Sequence, residues 1–390
     1  MHIYKFDETF YETKAEINLT SLIKNFNLIK RESQKNNKSK NNPVKVCSIV
    51  KANAYGHGMY EISKELTEAG TDYLGTSDYI ESLSLKKYLH NNSKRKVNIL
   101  CLGTLPENKK LLSEIVNGDI EVSVSDIETA KLLNRVSKAS NKKPKVHIQF
   151  DTGMNRVGIT FPEILSAVKK ISELKNISIK GIFSHFATSE IKNNTFAKHQ
   201  INLFTEVVRY LENEGIKFEL KHFQNTGGIF NYKRDFFNMV RPGISLYGYY
   251  PEQTKPINLP ELEPVMNFIT KINQIKKVPS KTSISYGRKY YTKKDELIAS
   301  LPVGYGDGYY RGLTNNTEVM INKKKYPAVG TVCMDWVMVN LKNNSNIKTG
   351  DKVLLFGKEF PAYHIAKKMN TLPYEVLCNI STRVKRIYYK

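Results

Sequence analysis

Cysteine is scarce and dispersed: Cys47, Cys101, Cys333 and Cys378 are the full complement of 390 residues, and none forms a C-x-x-C pair. That spacing argues against a disulfide framework or a zinc site and fits a reducing compartment. Long apolar runs are missing too, with nothing near the roughly 20 residues a bilayer span needs. The opening Met1-His2-Ile3-Tyr4-Lys5-Phe6-Asp7-Glu8 carries early acids in place of the apolar core of a secretory leader. A cytoplasmic protein is expected. Acids are outnumbered, 37 against 60 Lys and Arg, for a formal charge of +23. The excess is scattered among abundant Asn, Ile and Tyr, with only short clusters such as Lys323-Lys324-Lys325. No RNP-like, zinc-finger or helix-turn-helix pattern accompanies it, so it reads as AT-rich coding and a solvated surface. No internal repeat or low-complexity tail is present.

Between about residues 44 and 247, short apolar runs alternate with longer amphipathic stretches. The strand-like runs are Val46–Val50, Asp72–Gly75, Val97–Leu102, Ile120–Val124, Val146–Phe150, Ile179–Ser184, Phe218–His222 and a run from Met239 to Leu246. Helical patterns such as Met59–Ala69, Leu111–Val116 and Phe196–Glu214 lie between them, and Leu22–Glu32 precedes the first. Eight strands alternating with helices predict a (β/α)8 barrel. Ser33–Asn42, polar and lysine-rich, reads as a surface insertion. Past Pro251 the texture changes: Pro256, Pro260 and Pro264 mark a hinge, and β-rich runs follow at Phe268–Val278, Leu297–Val303, Glu318–Ile321, Thr331–Leu341 and Val353–Phe356. Ala362–Met369 is the clearest helix there. The fold class is therefore α/β, with residues 1–255 forming the barrel and 256–390 a mostly-β domain. Residues 1–14 are an extension and a candidate to pair with that domain.

A barrel of this kind keeps its chemistry where strands end. Lys51 directly follows the first strand, Arg156 the fifth, His185 closes the sixth, Asn225-Thr226-Gly227-Gly228 follows the seventh, and Arg241-Pro242-Gly243-Ile244 falls at the eighth. A lysine ending a buried strand is partly desolvated, which lowers its pKa and frees its amine as a nucleophile. The glycine-bearing loops after strands seven and eight sit where such barrels hold phosphate: Gly243 and Ile244 offer backbone N–H groups, Thr226 a hydroxyl, and Thr226–Ile229 a helix start. A lysine nucleophile with a phosphate cradle points to pyridoxal phosphate. Each residue alone has a bland reading, as surface lysine, core histidine or ordinary turn.

The segment Val50-Lys51-Ala52-Asn53-Ala54-Tyr55-Gly56-His57-Gly58 resembles the cofactor-lysine signature of alanine racemases. The similarity continues in order from about Ala15 to Tyr388. It runs through the barrel motifs, Ser285-Tyr286-Gly287-Arg288, Pro302–Tyr309, Val332-Cys333-Met334-Asp335, Pro373-Tyr374-Glu375 and Ile380–Arg386. The resemblance implies that Lys51 carries the cofactor, Arg241 hydrogen-bonds its ring nitrogen, and His185 packs beside the ring. Tyr55, Asn225, Thr226, Gly243, Ile244 and Tyr374 would bind the cofactor, chiefly at its phosphate. Arg156 and the Met334 backbone would fix the substrate carboxylate. Racemisation needs proton exchange on both faces of a planar carbon, hence two bases; the resemblance assigns Lys51 to the D face and Tyr286 to the L face. It also implies a head-to-tail homodimer in which one subunit's β domain completes the other's site, with Tyr305 and Arg311 at the entrance.

An arginine opposite the ring nitrogen will not give up a proton, which makes the ring a weaker electron sink than a carboxylate partner would. One departure from the family pattern is Gln149, where many members carry a carbamylated lysine. Its neutral amide can accept a hydrogen bond from Arg156 but brings no charge, which leaves a gap for a chloride or water. A racemase of another small amino acid such as serine, and a barrel-type decarboxylase, are the alternative enzymes; a small cofactor-carrier barrel and a basic nucleic-acid binder are the non-catalytic ones. The decarboxylase lacks its longer glycine run here, and the carrier lacks a β domain.

Overall fold

The computed structural model describes residues 12–35, 43–233, 236–252 and 256–390. The chain divides into two compact units. One holds residues 25–54 and 59–246; the other holds the segment up to Lys24, Tyr55–Gly58 and Tyr247–Lys390.

After a first strand, β1 (Lys14–Asn18), and helix α1 (Leu19–Gln34), the first unit is built on β2 (Lys45–Ile49), β3 (Tyr73–Thr76), β4 (Asn98–Cys101), β5 (Glu121–Val124), β6 (Lys145–Gln149), β7 (Ser178–Phe183), β8 (Leu220–His222) and β9 (Met239–Val240). Among the described residues these eight parallel strands close into a barrel, with Lys45 of β2 opposite Met239 of β9 at the seam. Strands such as Tyr73–Thr76 and Glu121–Val124 are buried at every position, as expected of parallel strands covered on both faces. Helices return the chain between them: α2 (Met59–Glu68), α3 (Tyr79–Asn92), α4 (Lys109–Asn117), α5 (Ile127–Ala139), α6 (Glu163–Ser172), α7 (Thr195–Asn213) and the short α8 (Thr226–Asn231). Their starts are encoded locally. Asp78, Asn108, Asp126 and Asn194 each accept a hydrogen bond from a first-turn N–H that has no intrahelical partner.

The second unit is mostly β. Its strands are β10 (Met266–Lys271), β11 (Gln274–Val278), β12 (Ser283–Ile284), β13 (Tyr290–Tyr291), β14 (Glu296–Leu301), β15 (Glu318–Ile321), β16 (Lys324–Val329), β17 (Val337–Asn340), β18 (Lys352–Phe356) and β19 (Lys385–Tyr389). Nine strands form one sheet in the order β11-β14-β17-β16-β15-β18-β10-β1-β19 among the described residues. β1 thus lies between β10, to which it is antiparallel, and the final strand β19, to which it is parallel. Two helices, α9 (Tyr363–Lys368) and α10 (Pro373–Cys378), complete the unit. No helix of the described residues is long and apolar enough to cross a membrane, and all four cysteines are free.

Several expectations need correction. The eighth barrel run does not stay a strand to Leu246: β9 ends at Val240, and Ile244–Tyr247 is a 3-10 turn, because Pro242 has no N–H for the ladder. Ser33 is fully buried within α1 rather than on an insertion, its hydroxyl donating to Lys30 O at 2.6 Å; residues 36–42 of that insertion lie outside the described residues. The run Phe268–Val278 is two strands, and only Val337–Asn340 of Thr331–Leu341 pairs as one. The lysine cluster at 323–325 leads into β16, where Tyr326, Ala328 and Val329 turn inward while Lys324 and Lys325 stay in solvent.

A helix cap gives the simplest test of this reading. Asp126 Oδ1 accepts from Thr129 N–H at 2.7 Å, so Asp126→Ala should lower stability by about 1 kcal/mol. Chemical-denaturation midpoints will check it, and Asp126→Asn should restore most of the loss.

Candidate active site

Lys51 follows β2 at the C-terminal mouth of the barrel, with Val50 N–H bonded to Gly75 O at 2.8 Å. The backbone after it is unusual. Ala52, Asn53 and Ala54 all adopt left-handed helical angles (φ 51, 53 and 53°), and Tyr55 continues at φ 50°. For residues with a Cβ this costs roughly 1–2 kcal/mol each, so other contacts must hold the turn. Ala54 N–H bonds back to Val50 O at 2.8 Å. Glu81 Oε1 accepts from Asn53 N–H at 3.1 Å, and Asn53 Oδ1 accepts from Met59 N–H at 2.8 Å. In the second unit, the motif's glycines allow close approach. A Cβ on Gly56 would lie 2.2 Å from Leu377 O, and one on Gly58 would lie 1.7 Å from Tyr388 Oη. Arg386 Nε meanwhile donates to Gly56 O at 2.9 Å.

Arg241 is 3% exposed, and its guanidinium is directed by a set of fixed acceptors. Nη1 donates to His222 Nδ1 at 2.8 Å and His222 O at 2.9 Å; Nη2 donates to Ser184 O at 2.7 Å, to Phe223 O at 3.3 Å and to His185 Nδ1 at 3.3 Å. Burial pushes its pKa down to about 10, partly opposed by the Cys47 thiol, which leaves it cationic at neutral pH. His185 is held well below the ordinary histidine range, first by burial and then by the positive charges of Arg241, Arg156 and Lys51. The lysine, both arginines and His185 therefore share one electrostatic environment. Cys47, pushed up to about 12 by burial, is an inert neighbour.

At the opposite loops, Asn225 caps α8 by accepting from Gly228 N–H at 3.0 Å. Thr226 Oγ1 lies 3.0 Å from Ser245 Oγ and accepts from Gly243 N–H at 3.2 Å. Two hydroxyls, the start of α8 and the Gly243-Ile244 backbone are thus gathered in a small, buried polar cradle suited to an anion.

Arg156 stands exposed on the loop after β6. Asp151 shapes that loop by accepting from Gly153 and Asn155 N–H at 2.8 and 3.1 Å. The Arg156–Gln149 hydrogen bond that the amide allows does not form: Gln149 Oε1 is buried and has no partner among the described residues. Asn155, just before the arginine, adopts a left-handed conformation (φ 54°).

In the second unit, Tyr55 and Tyr374 lie with ring centroids 5.8 Å apart, and Tyr55 is 5.0 Å from Tyr247. Burial, then Tyr374 and Cys378, raises the Tyr55 pKa well above normal, so its hydroxyl stays a donor. The remaining motifs converge by hydrogen bonds. Ser285 (φ 66°) donates to Thr331 O, and Thr331 donates to Tyr286 O, both at 2.6 Å. Tyr305 N–H bonds to Cys333 O at 3.0 Å. Arg383 bridges Asp307 and Asp335 at 2.7 Å each. Tyr286, Tyr305, Met334 and Trp336 stay strongly exposed there, Tyr286 at 72%, and Arg311 begins a 3-10 turn nearby in sequence.

Two family models cover the chain almost end to end: the alanine racemase N-terminal domain over residues 17–251 and the C-terminal domain over 265–388. The chain belongs to the alanine racemase family. It is 42% identical to alanine racemase 2 of Caldanaerobacter subterraneus subsp. tengcongensis, over 98% of this chain and 96% of that one. Among solved structures it matches alanine racemase of Clostridium difficile 630 with a TM-score of 0.90 at 36% identity, covering 98% and 97% of the two chains. It also matches alanine racemase from Bartonella henselae with covalently bound pyridoxal phosphate, TM-score 0.84 at 27% identity, covering 97% and 99%.

For this alanine racemase family member, sequence reasoning passed over His222, Ser245, Asn53 and Glu81. His222 ends β8 much as His185 follows β7, a signal that was available. Ser245 and Glu81 carry no pattern of their own.

Two measurements follow. Glu81→Ala removes the acceptor of a strained turn and should cost about 1–3 kcal/mol, read by thermal denaturation. His185 and His222 are both held neutral, with burial the largest cause. Below the unfolded value near 6.5 the unfolded chain binds protons that the folded chain refuses, so stability falls as pH drops. The melting temperature should be flat above about pH 7 and decline below about 6.5; His222→Gln should flatten that decline.

Proposed function

We propose that the chain interconverts L- and D-alanine with pyridoxal phosphate carried on Lys51. The residues fit that group. The Thr226–Ser245 cradle with Gly243 and Ile244 suits its phosphate, Arg241 presents a fixed donor edge for its ring nitrogen, and Lys51 lies at the same mouth. When bound, the cofactor supplies an electron-withdrawing ring that acidifies the Cα–H of the attached amino acid.

The protein's own groups then divide the work. Arg156 and the backbone N–H of Met334 orient the carboxylate, a task suited to a planar guanidinium fork. The Lys51 amine holds or returns the Cα proton on the D face, and the Tyr286 hydroxyl does so on the L face. Tyr55, with its pKa raised, and Tyr374 serve as neutral phenol donors toward the phosphate. Arg241, cationic at neutral pH, hydrogen-bonds the ring without giving up a proton, and His185, neutral beside it, adds no further charge. Gln149 lends Arg156 no charge, which leaves carboxylate binding to the guanidinium and the backbone.

Tyr286, Tyr305, Met334 and Trp336, exposed in the single chain, support a head-to-tail homodimer in which a second copy's β unit completes the barrel mouth, with Tyr305 and Arg311 at the entrance. Exposed aromatics of this kind are enriched at protein interfaces. The reaction would take place in the cytoplasm and supply D-alanine to the cell-wall peptide.

The observation that carries this reading is the convergence of Lys51, Arg241, His185 and Arg156 on one barrel mouth in a chain of this family. Purified protein loaded with pyridoxal phosphate should racemise L-alanine, and borohydride should fix the cofactor on the peptide bearing Lys51. A label elsewhere, or no loss of optical rotation, overturns it. Tyr286→Phe should cut turnover by roughly 10²–10⁴-fold, and specific activity should fall on dilution as the dimer dissociates.

A further inference from the structure

A chain of hydrogen bonds leads from Arg241 into the barrel interior. Arg241 Nη1 lies 2.8 Å from His222 Nδ1, His222 Nε2 lies 2.9 Å from His147 Nδ1, and His147 Nε2 lies 2.9 Å from Glu121 Oε2. His147 and His222 are fully buried and Glu121 is 3% exposed. Glu121 Oε1 faces Lys180 at 3.3 Å and Lys145 at 3.5 Å. The series therefore spans the barrel from the rim where strands begin to the mouth where they end.

Its direction is forced. A guanidinium only donates, so His222 Nδ1 must be unprotonated and the ring neutral, with its proton on Nε2. That proton is donated to His147, which must then leave Nδ1 bare and carry its own proton on Nε2. That last proton points at Glu121, the acceptor that ends the chain. A cation at one end and an anion at the other are joined by two neutral imidazoles, and every hydrogen atom on the path is assigned.

We propose that Glu121, His147 and His222 are positioning residues for Arg241: the carboxylate fixes both tautomers, and the tautomers hold the guanidinium aimed into the mouth. This rests on the reading that Arg241 faces the cofactor ring. In that arrangement the negative charge that a carboxylate ring partner would supply at close range is kept deep in the barrel instead. The packing is built for the chain. A Cβ on Gly181 would come within 2.6 Å of His147 Nδ1, so only glycine leaves room for that ring. Phe183 stacks on His222 at 4.9 Å and 11°, and its face lies 5.3 Å from Arg241 Cζ. Burial keeps His147 and His222 below the ordinary range. Burial raises the Glu121 pKa, but His147, Lys180 and Lys145 together outweigh it and hold the carboxylate below its usual value. Interiors of such barrels are ordinarily layers of branched aliphatics, and a buried polar path is costly unless every member is satisfied.

Solid-state ¹⁵N spectra of histidine-labelled holoenzyme should show, besides His185, whose Nδ1 also accepts from Arg241, two neutral imidazoles protonated at Nε2, assigned to positions 147 and 222 by their loss in His147→Gln and His222→Gln. Glu121→Gln keeps an acceptor but removes the charge. It should shift the visible band of the bound cofactor and lower kcat about tenfold with KM changed less than about twofold. Gly181→Ala, which displaces His147 and adds no titratable group, should move the band the same way. Either imidazole protonated at Nδ1, or a Glu121→Gln enzyme with the native band and kcat, overturns the proposal. Should Glu121→Gln not fold, the native tautomers and Gly181→Ala still decide it. A holoenzyme that does not racemise alanine defeats the functional reading, while the tautomers and the band still test this one.

Discussion

A permanently charged guanidinium with almost no access to solvent is the constraint around which the barrel is arranged. Leaving such a charge unmatched would cost several kcal/mol, so the Nη1 and Nη2 donors of Arg241 must meet acceptors. The structure supplies them from strand ends: the carbonyls of Ser184, His222 and Phe223 and the bare nitrogens of His222 and His185. Those partners come from β7, β8 and the residues just after them, so the closure of the barrel and the aim of the arginine are one problem with one solution. The histidines beside it are held below their ordinary range first by burial and then by the guanidinium's own charge.

The segment after Lys51 shows a second constraint of the same kind, conformational where the first is electrostatic. A run of left-handed residues without glycine persists because backbone and side-chain hydrogen bonds surround it. Strain of this sort gathers at functional sites. Here it sets the direction in which the chain leaves the lysine, and the glycines that follow let the chain pack tightly within the β unit.

Much of this was legible in the sequence. The eight barrel runs appear because buried parallel strands are continuous apolar segments, and the residues ending them could be named from that alone. The strands at β16 and β19 were not legible: Lys324-Lys325 and Lys385 put charge in solvent, Arg386 spends its donors on backbone carbonyls, and together they hid the inward Tyr326, Val329 and Ile387. The pairing with the β domain expected of residues 1–14 is made by Lys14–Asn18, with residues 1–11 outside the described ones; no local pattern marked that strand, because its partners lie far downstream. At the site, motif residues were visible, but what supports them was not. Glu121 and His147 look like ordinary strand residues until the closed barrel brings β5, β6 and β8 together. The absence of a Gln149–Arg156 hydrogen bond was hidden in a similar way, since spacing could not reveal that Gln149 is buried while Arg156 is exposed.

The place of β1 between β10 and β19 governs how the molecule can be made. Both of its neighbours are encoded far downstream of Lys14–Asn18: β10 at Met266–Lys271 and β19 at Lys385–Tyr389. A growing chain can assemble its barrel strands while still on the ribosome, since all eight have emerged well before the end. β1 must wait for β10 on one edge and for β19 on the other. Such late, distant pairing is slow and exposes sticky edges meanwhile, so loss of β19 would leave an edge of β1 unpaired about 370 residues away.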